Sequence, residues 1–518
     1  MRHPSPSQAA RFLMQATLGA TTAEITRVTE IGFEAWIDEQ FRLEPSLTHL
    51  EVHAARLAGM HFEMHHAWWR QVLTAKDMLR HRLAVALSEI FVLSEVAIEF
   101  VPWEMMEYYD DLGKHAFGNW RDLLHAVTLD PLMGYYLTYL RNRKGDPAAQ
   151  RFPDENYARE VMQLFSIGLW ELNPDGTKKL DAEGREIPTY DNREITEFAR
   201  VFTGLSFGGP TADVSKPDDF FNAPPNYSAP MKLWEEHHDR GEKLLLRGKR
   251  LPAFTQSPGR TGLDDINDAV DNLFHHPNVG PFFGRLLIQR LVTSNPSPAY
   301  IGRVAAAFAD NGQRVRGDLR AVIKAILLDP EARIPAPASS HPGHLREPYL
   351  RYVALARTFG AAAPSGGYKV NDHDTQQAMN QILLNSPSVF NFFLPDYRPP
   401  GRIAEASLYA PEFQLMTSST AITSLNHYLR MVGTGFGDLP DGDECLRLDF
   451  SEEILLADRP EVLVAHLDVK MTGGNLGTET KRILLAAYAE MPAEFRPVDR
   501  VKALVQLVAL SPDFAVSR

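Results

Sequence analysis

The chain has 518 residues, 44% of them hydrophobic and 23% charged, which is ample for a large buried core and unlike a disordered or fibrous protein. Its 66 acidic and 53 basic residues give a net charge of −13, which argues against non-specific nucleic-acid binding, because that needs Lys and Arg to neutralise phosphates. The one cysteine, Cys445, excludes an intrachain disulfide and has no neighbours of the metal-knuckle or Cys–His type.

Length alone suggests about two to four domains. No apolar run of signal-peptide length follows Met1, so a cytoplasmic protein is expected, or a periplasmic one if a leader has been removed. Apolar residues at helical spacing predict helices over 6–18, 22–41, 47–75, 77–97, 103–115, 118–128, 130–140, 155–167 and 191–203. The most apolar run, Leu83 to Trp103, holds Glu89, Glu95 and Glu99. Three carboxylates at bilayer depth would be costly, so this run reads as a core helix and no membrane span is expected.

Residues 206–232 are rich in Gly, Pro, Asp and Asn and predict a long irregular loop, either a lid or a substrate-facing insertion. Lys243 to Leu251 carries a Gly mid-run and reads as a short hairpin. Helices resume at 264–276, 278–292, 298–312, 316–328, 345–360 and 373–385, with a Pro/Ala/Ser linker at 334–343. Further helices are expected at 409–431, 450–457, 459–469, 475–488 and 497–510. The fold class is therefore all-α, with long irregular loops and at most a short β-hairpin. Three regions are expected, 1–205, 206–333 and 344–518, packed as one integrated body.

The most informative stretch is Asp154 to Phe165. Asn156, Arg159, Glu160 and Gln163 fall at i, i+3, i+4 and i+7 and form one polar stripe between apolar flanks. Such a stripe either lines a cleft between helices or faces solvent with intrahelical ion pairs. The basic residues Arg141, Arg143, Lys144 and Arg151 just before it read as a solvated loop or as an anion-binding rim. Next, Asp191 to Glu194 resembles a capping box opening a second helix, whose polar face carries Arg193, Glu197 and Arg200. His237-His238-Asp239 is the densest group of potential metal ligands, and it suits a divalent metal, an acid–base pair or a capped surface turn. Nucleotide loops and zinc-protease signatures are missing, and no Glu-x-x-His pair of the kind a di-iron bundle needs is suitably placed on the motif helices.

Several of these stretches carry a resemblance. Arg11 to Thr21, Glu155 to Glu160 with Leu164, Phe165 and Gly168, Glu197 to Gly204, and His238 to Lys243 with Gly248 follow one pattern. His276-Pro277, Arg346-Glu347-Pro348, Ser386 to Phe393 and Ser511 to Phe514 continue it. In that order they resemble the large bacterial family known as domain of unknown function 1800. Asp154 departs from the pattern, which often has Asn there. The resemblance implies kinship over nearly the whole chain and no particular chemistry.

The residues themselves suggest an acid/base cleft acting on a polar or anionic, small-molecule or glycan-like substrate, as a hydrolase or lyase. Glu160, Glu197, His238 and Asp239 are the catalytic candidates. Asn156, Arg159, Arg200, Lys243 and Arg346 are the substrate-binding candidates. His237, His238 and Asp239 would hold a divalent metal if one is bound. The competing readings are a non-catalytic binding or assembly protein with a structural Arg/Glu network, and a metal-dependent oxidoreductase.

Overall fold

Side-chain oxygens placed just before apolar helical runs start the chain's architecture. In the computed structural model, Ser5 accepts from the Gln8 amide while Gln8 reaches back to the Ser5 amide, opening the helix Pro6–Ala16. Thr21 and Glu24 do the same for Thr22–Ile31. The helix expected over 22–41 is in fact two. Gly32 at φ +84° ends the first and starts Phe33–Gln40, because a left-handed residue cannot continue an α-helix. Residues 3–50, 64–98, 101–334, 343–370, 373–437 and 442–517 are described. The expected helix over 47–75 lies partly, and the linker at 334–343 almost wholly, outside them.

The remaining helices follow the predicted order, most with ends trimmed by caps and prolines, but the helix expected over 77–97 ends at Ser88, so Leu83 to Trp103 is not one core helix, and the helix expected over 409–431 begins only at Thr420. They include Met78–Ser88, Pro102–His115, Trp120–Leu129, Gly262–Phe274, Val279–Leu291 and Pro497–Leu510. Strands are minimal: Leu205–Ser206 pairs with Lys232–Leu233, Lys243–Leu244 with Arg250–Leu251, and His344–Leu345 with Val516–Ser517, all antiparallel. The second pair is the expected hairpin. Among the described residues, no helix is long and apolar enough to cross a membrane. The protein is mostly helical.

The chain folds as two units, each discontinuous in sequence. One comprises Met1–Ala86, Ile288–Pro296 and Ile326–Arg518. Its core is aromatic: Trp68 stacks on Tyr349 and Trp69 meets Tyr352 and Phe436 edge-on or tilted, with ring centroids 5.3–5.9 Å apart. The other comprises Leu87–Leu287 and Ser297–Ala325. There Trp120 packs against Phe274, Phe283 and Phe308. In the same unit, Tyr157 stacks on Tyr139 at 4.1 Å and meets Phe202 edge-on at 4.8 Å. The 206–232 loop is closed at its base by the first strand pair and carries a small core of its own, Ala212, Phe220 and Ala223 with Trp234.

Candidate functional site

The polar stripe begins on a short α-turn, Asn156–Glu160, and runs directly into a π-helix, Val161–Ser166. A π turn inside a helix is rare and occurs often at functional sites. The helix start is held by Asp154, whose Oδ1 accepts from the Asn156 amide at 2.9 Å and from the Thr138 hydroxyl at 3.0 Å. An Asn side chain has the same acceptor oxygen, so either residue can make this interaction. Asn156 Nδ2 lies 3.4 Å from the same Thr138 hydroxyl. Thr138 sits at φ +62°, a conformation costing a β-branched residue on the order of 1–3 kcal/mol.

Arg159 is half-exposed and pairs with Glu155 at 3.6 Å. Glu155 also accepts from the Thr196 hydroxyl at 2.9 Å, joining this turn to the helix Asn192–Val201. Glu160 differs from these neighbours. It is only 6% exposed, and its Oε2 has no hydrogen-bond partner. Burial pushes its carboxyl up, with the Arg159 charge opposing. Tyr190 lies within reach of both charges, its phenol oxygen is also buried without a partner, and burial pushes its hydroxyl up to about 12.

The second helix and the histidine–aspartate loop meet in a different arrangement. Arg200 grips both oxygens of Asp239, Nε to Oδ2 at 2.9 Å and Nη2 to Oδ1 at 3.0 Å, while its Nη1 meets Glu197 at 2.8 Å. Glu197 Oε2 accepts from the Leu244 amide, tying the helix to the hairpin. Lys243 is fully buried and donates to Asp265 Oδ2 at 2.6 Å and to the carbonyl oxygens of Asp239 and Gly241. Asp265 also accepts from Arg260 Nε at 2.6 Å, and Arg260 continues to Asp268 at 2.6 Å. Burial alone would raise the Asp265 carboxyl, but His238, Lys243 and Arg260 outweigh it and hold it below the usual range. Asp239 is held low in the same way, chiefly by Arg200. For Lys243 burial wins over Asp265 and Asp239, and its pKa is lowered.

His238 faces acceptors at both nitrogens, the Thr203 carbonyl at 2.8 Å and Asp265 Oδ2 at 3.2 Å, so neither ring nitrogen is aimed at open space. His237 instead stacks on Phe220 at 4.1 Å with Nε2 at the Pro217 carbonyl. Backbone closeness makes this packing possible at Gly204, which lies at φ +86° with the Trp234 carbonyl and the His238 amide where a Cβ would stand.

The structure thus gathers Glu197, Arg200, His238, Asp239 and Lys243 into one closed network. Asn156, Arg159 and Glu160 make no hydrogen bond or ion pair to it, although their turn packs on the helix Asn192–Val201 that carries Glu197 and Arg200. Arg346 belongs to the other unit. Of the basic run, Arg141 lies over Phe207, Arg143 lies over Phe221, and Arg151 pairs with Asp146 at 3.7 Å. Sequence reading missed Asp265, Arg260, Thr138 and Tyr190, which have no motif. The Asp265 and Arg260 partnership carried only one signal, two opposite charges five residues apart at the start of a helix.

Among the described residues, Glu452, Glu453 and His466 form the one group of three with metal-ligand spacing, their ligand atoms within 4.8 Å. Lys470 already occupies it, 2.7 Å from Glu453 and 3.2 Å from Glu452.

No curated protein and no solved structure matches the chain. The model of the family described as "Protein of unknown function (DUF1800)" matches residues 11–516, nearly the whole length that includes both the Glu160 turn and the Asp265 network, and the chain belongs to that family.

Proposed function

We propose that the protein is an enzyme of hydrolase or lyase type, with Glu160 as the acid or base acting on a polar substrate. One observation supports this above the others: Glu160 is a buried carboxyl with an unpartnered oxygen, beside a phenol oxygen that also lacks a partner. A carboxyl raised by burial lies closer to the range that proton transfer at neutral pH requires than an exposed one does. Asn156 and Arg159, on the exposed side of the same turn, would bind the substrate's polar or anionic groups, small-molecule or glycan-like. The strain at Thr138 fits a turn kept for its shape.

The test has two parts. Glu160→Gln should abolish turnover, by at least about a hundredfold, of any substrate found by screening small polar and glycan-like compounds. The same change should raise the melting temperature. Because the folded carboxyl is raised, its contribution to stability is present at low pH and lost as pH rises, so the gain should grow from pH 4 to pH 8. Wild-type turnover by Glu160→Gln would refute the proposal.

A second reading, a non-catalytic binding or assembly protein, is favoured by the Glu197–Arg200–Asp239–Lys243–Asp265 network, in which the charged groups satisfy one another. On that reading these residues contribute to folding alone. The metal-dependent oxidoreductase reading would need ring nitrogens that His238 directs at Thr203 and Asp265. Metal analysis of the purified wild-type protein and of His238→Ala tests it.

A further inference from the structure

The fold leaves the basic run before the Glu160 turn without an ionic partner. Arg141, Arg143 and Lys144 pair with no carboxylate among the described residues. Arg143 makes no side-chain hydrogen bond and lies on the Phe221 ring at 5.1 Å. Arg141 lies on the Phe207 ring at 5.1 Å, gives one hydrogen bond of 3.2 Å to the Ala223 carbonyl, and leaves its buried Nε without a partner. A guanidinium stacked on a ring is held by its flat face, so N–H groups at its edge stay available to fork onto a carboxylate. Lys144 is exposed.

The loop that carries these cations is braced. The Arg141 amide donates to the Leu205 carbonyl and the Lys144 amide to the His237 carbonyl, both at 2.8 Å. The Asn142 carbonyl accepts from the Gly204 amide at 2.8 Å. Its side-chain oxygen accepts from the Asp154 amide at 3.0 Å, which ties the loop to the start of the Asn156–Glu160 turn. Thr138 and Arg141 both sit at left-handed φ, +62° and +63°, a cost that the bracing offsets. Open aromatic surface flanks the cations: Phe152 is 75% exposed and Tyr135 50%. Tyr135 meets Tyr227 edge-on at 6.4 Å, and Tyr227 meets Phe207, the ring under Arg141, at 5.0 Å.

Unpaired cations beside open rings suit a chain molecule whose units carry both a carboxylate and an apolar face. A uronic acid sugar is such a unit, because its carboxylate takes an arginine fork and its C–H face lies on an aromatic ring. A nucleic-acid strand also stacks on aromatics, but it carries one charge per ~3.4 Å and needs a longer cationic track than these three residues, which Asp146 and Glu155 dilute.

We propose that this rim binds an acidic polysaccharide built of uronic acids, with Arg141, Arg143 and Lys144 on its carboxylates and Tyr135 and Phe152 on its sugar faces. As the substrate class of the Glu160 turn it rests on the catalytic reading. As a binding surface it uses none of Asn156, Arg159 and Glu160, and it is tested separately.

Titration calorimetry of the full chain with oligogalacturonate at pH 7.5 tests it, against the same oligomer methyl-esterified and against single-stranded DNA of similar length. Saturable binding of the uronate is expected, at least about tenfold tighter than that of the ester or the DNA, and weaker as salt rises. Arg143→Gln combined with Lys144→Gln should weaken uronate binding about tenfold or more. Neither side chain makes a hydrogen bond, so the melting temperature should move by less than about 2 °C. Phe152→Ala should weaken binding about threefold or more with every cation in place. No saturable uronate binding, equal affinity for the ester, tighter binding of DNA, or unchanged affinity in either variant would overturn the proposal. Uronate binding retained by Glu160→Gln together with undiminished cleavage would uphold the rim and count against the catalytic reading alone.

Discussion

Replacing Asp265 by Asn keeps the side chain's shape and removes its charge, which isolates what the buried carboxylate contributes. Asp265 is wholly buried and receives Lys243, Arg260 and His238 at 2.6, 2.6 and 3.2 Å. In the variant Lys243, itself fully buried, keeps carbonyl acceptors and a distant Asp239 oxygen at 3.9 Å as its remaining partners. Removing one member of a buried ion pair costs roughly 3–5 kcal/mol, because the remaining charge stays desolvated. At about 2–4 °C per kcal/mol for a folded body of 150–250 residues, the transition should fall by ~6–20 °C. Lys243→Met should cost less, since Asp265 retains Arg260 and His238. The measurement is a melting curve with a urea titration on each variant. The pH dependence carries a sign: Asp265 is held low, so its stabilisation is present above the unfolded carboxylate range and is lost as pH falls through the folded value. Wild type should therefore lose stability in acid more steeply than Asp265→Asn. A shift below about 2 °C for Asp265→Asn, or a larger loss for Lys243→Met, would show that the network is not what holds this region together.

Arg159→Ala should change stability by less than about 0.5 kcal/mol in urea titrations, because its single partner, Glu155, is as exposed as it is. Glu412 is buried and its carboxyl is pushed up to about 8 by burial and by Glu347. Its neutral form is the stabilising one, so stability should decline between about pH 4.5 and 8, by on the order of a few kcal/mol, and Glu412→Gln should flatten that decline in melting curves. Gly204→Ala would drive a methyl group to 2.9 Å from the Trp234 carbonyl at a left-handed position, and should lower the melting temperature by several degrees through a loss of about 2 kcal/mol or more.

Most helices could be read from apolar spacing, and their ends from residues that act locally. Ser5, Thr21, Asp191 and Thr261 each accept from an amide two or three positions ahead, an interaction contained within one short window. The break at Gly32 was not legible, because Gly is tolerated inside helical patterns and its φ is decided by packing. The candidate site divided along the same line. Arg200 was a substrate-binding candidate, but the carboxylate it holds is Asp239 of this chain, and no spacing rule links positions 39 residues apart. Burial decided the rest. Glu155 and Glu160 look alike as letters on one helix, yet the first is exposed to solvent and the second is enclosed. A 3.6-residue period places both, but it does not report which neighbours will cover them.

The π turn after Glu160 works as a one-residue spacer. Each bond there spans one residue more than in the α-turn before it, so the angular phase of the chain changes between Glu160 and Ile167. Removing one residue of 161–166 would let an ordinary α turn form in its place, and because a π turn holds about one residue more than an α turn, the chain beyond it would keep its direction. Phe165, which packs on Phe91 at 5.4 Å, could then keep that contact while Glu160 stays where it is. A related chain one residue shorter in this window would differ from this one inside the turn and not beyond it, and aligning the two without a gap there would pair residues that do not share a direction.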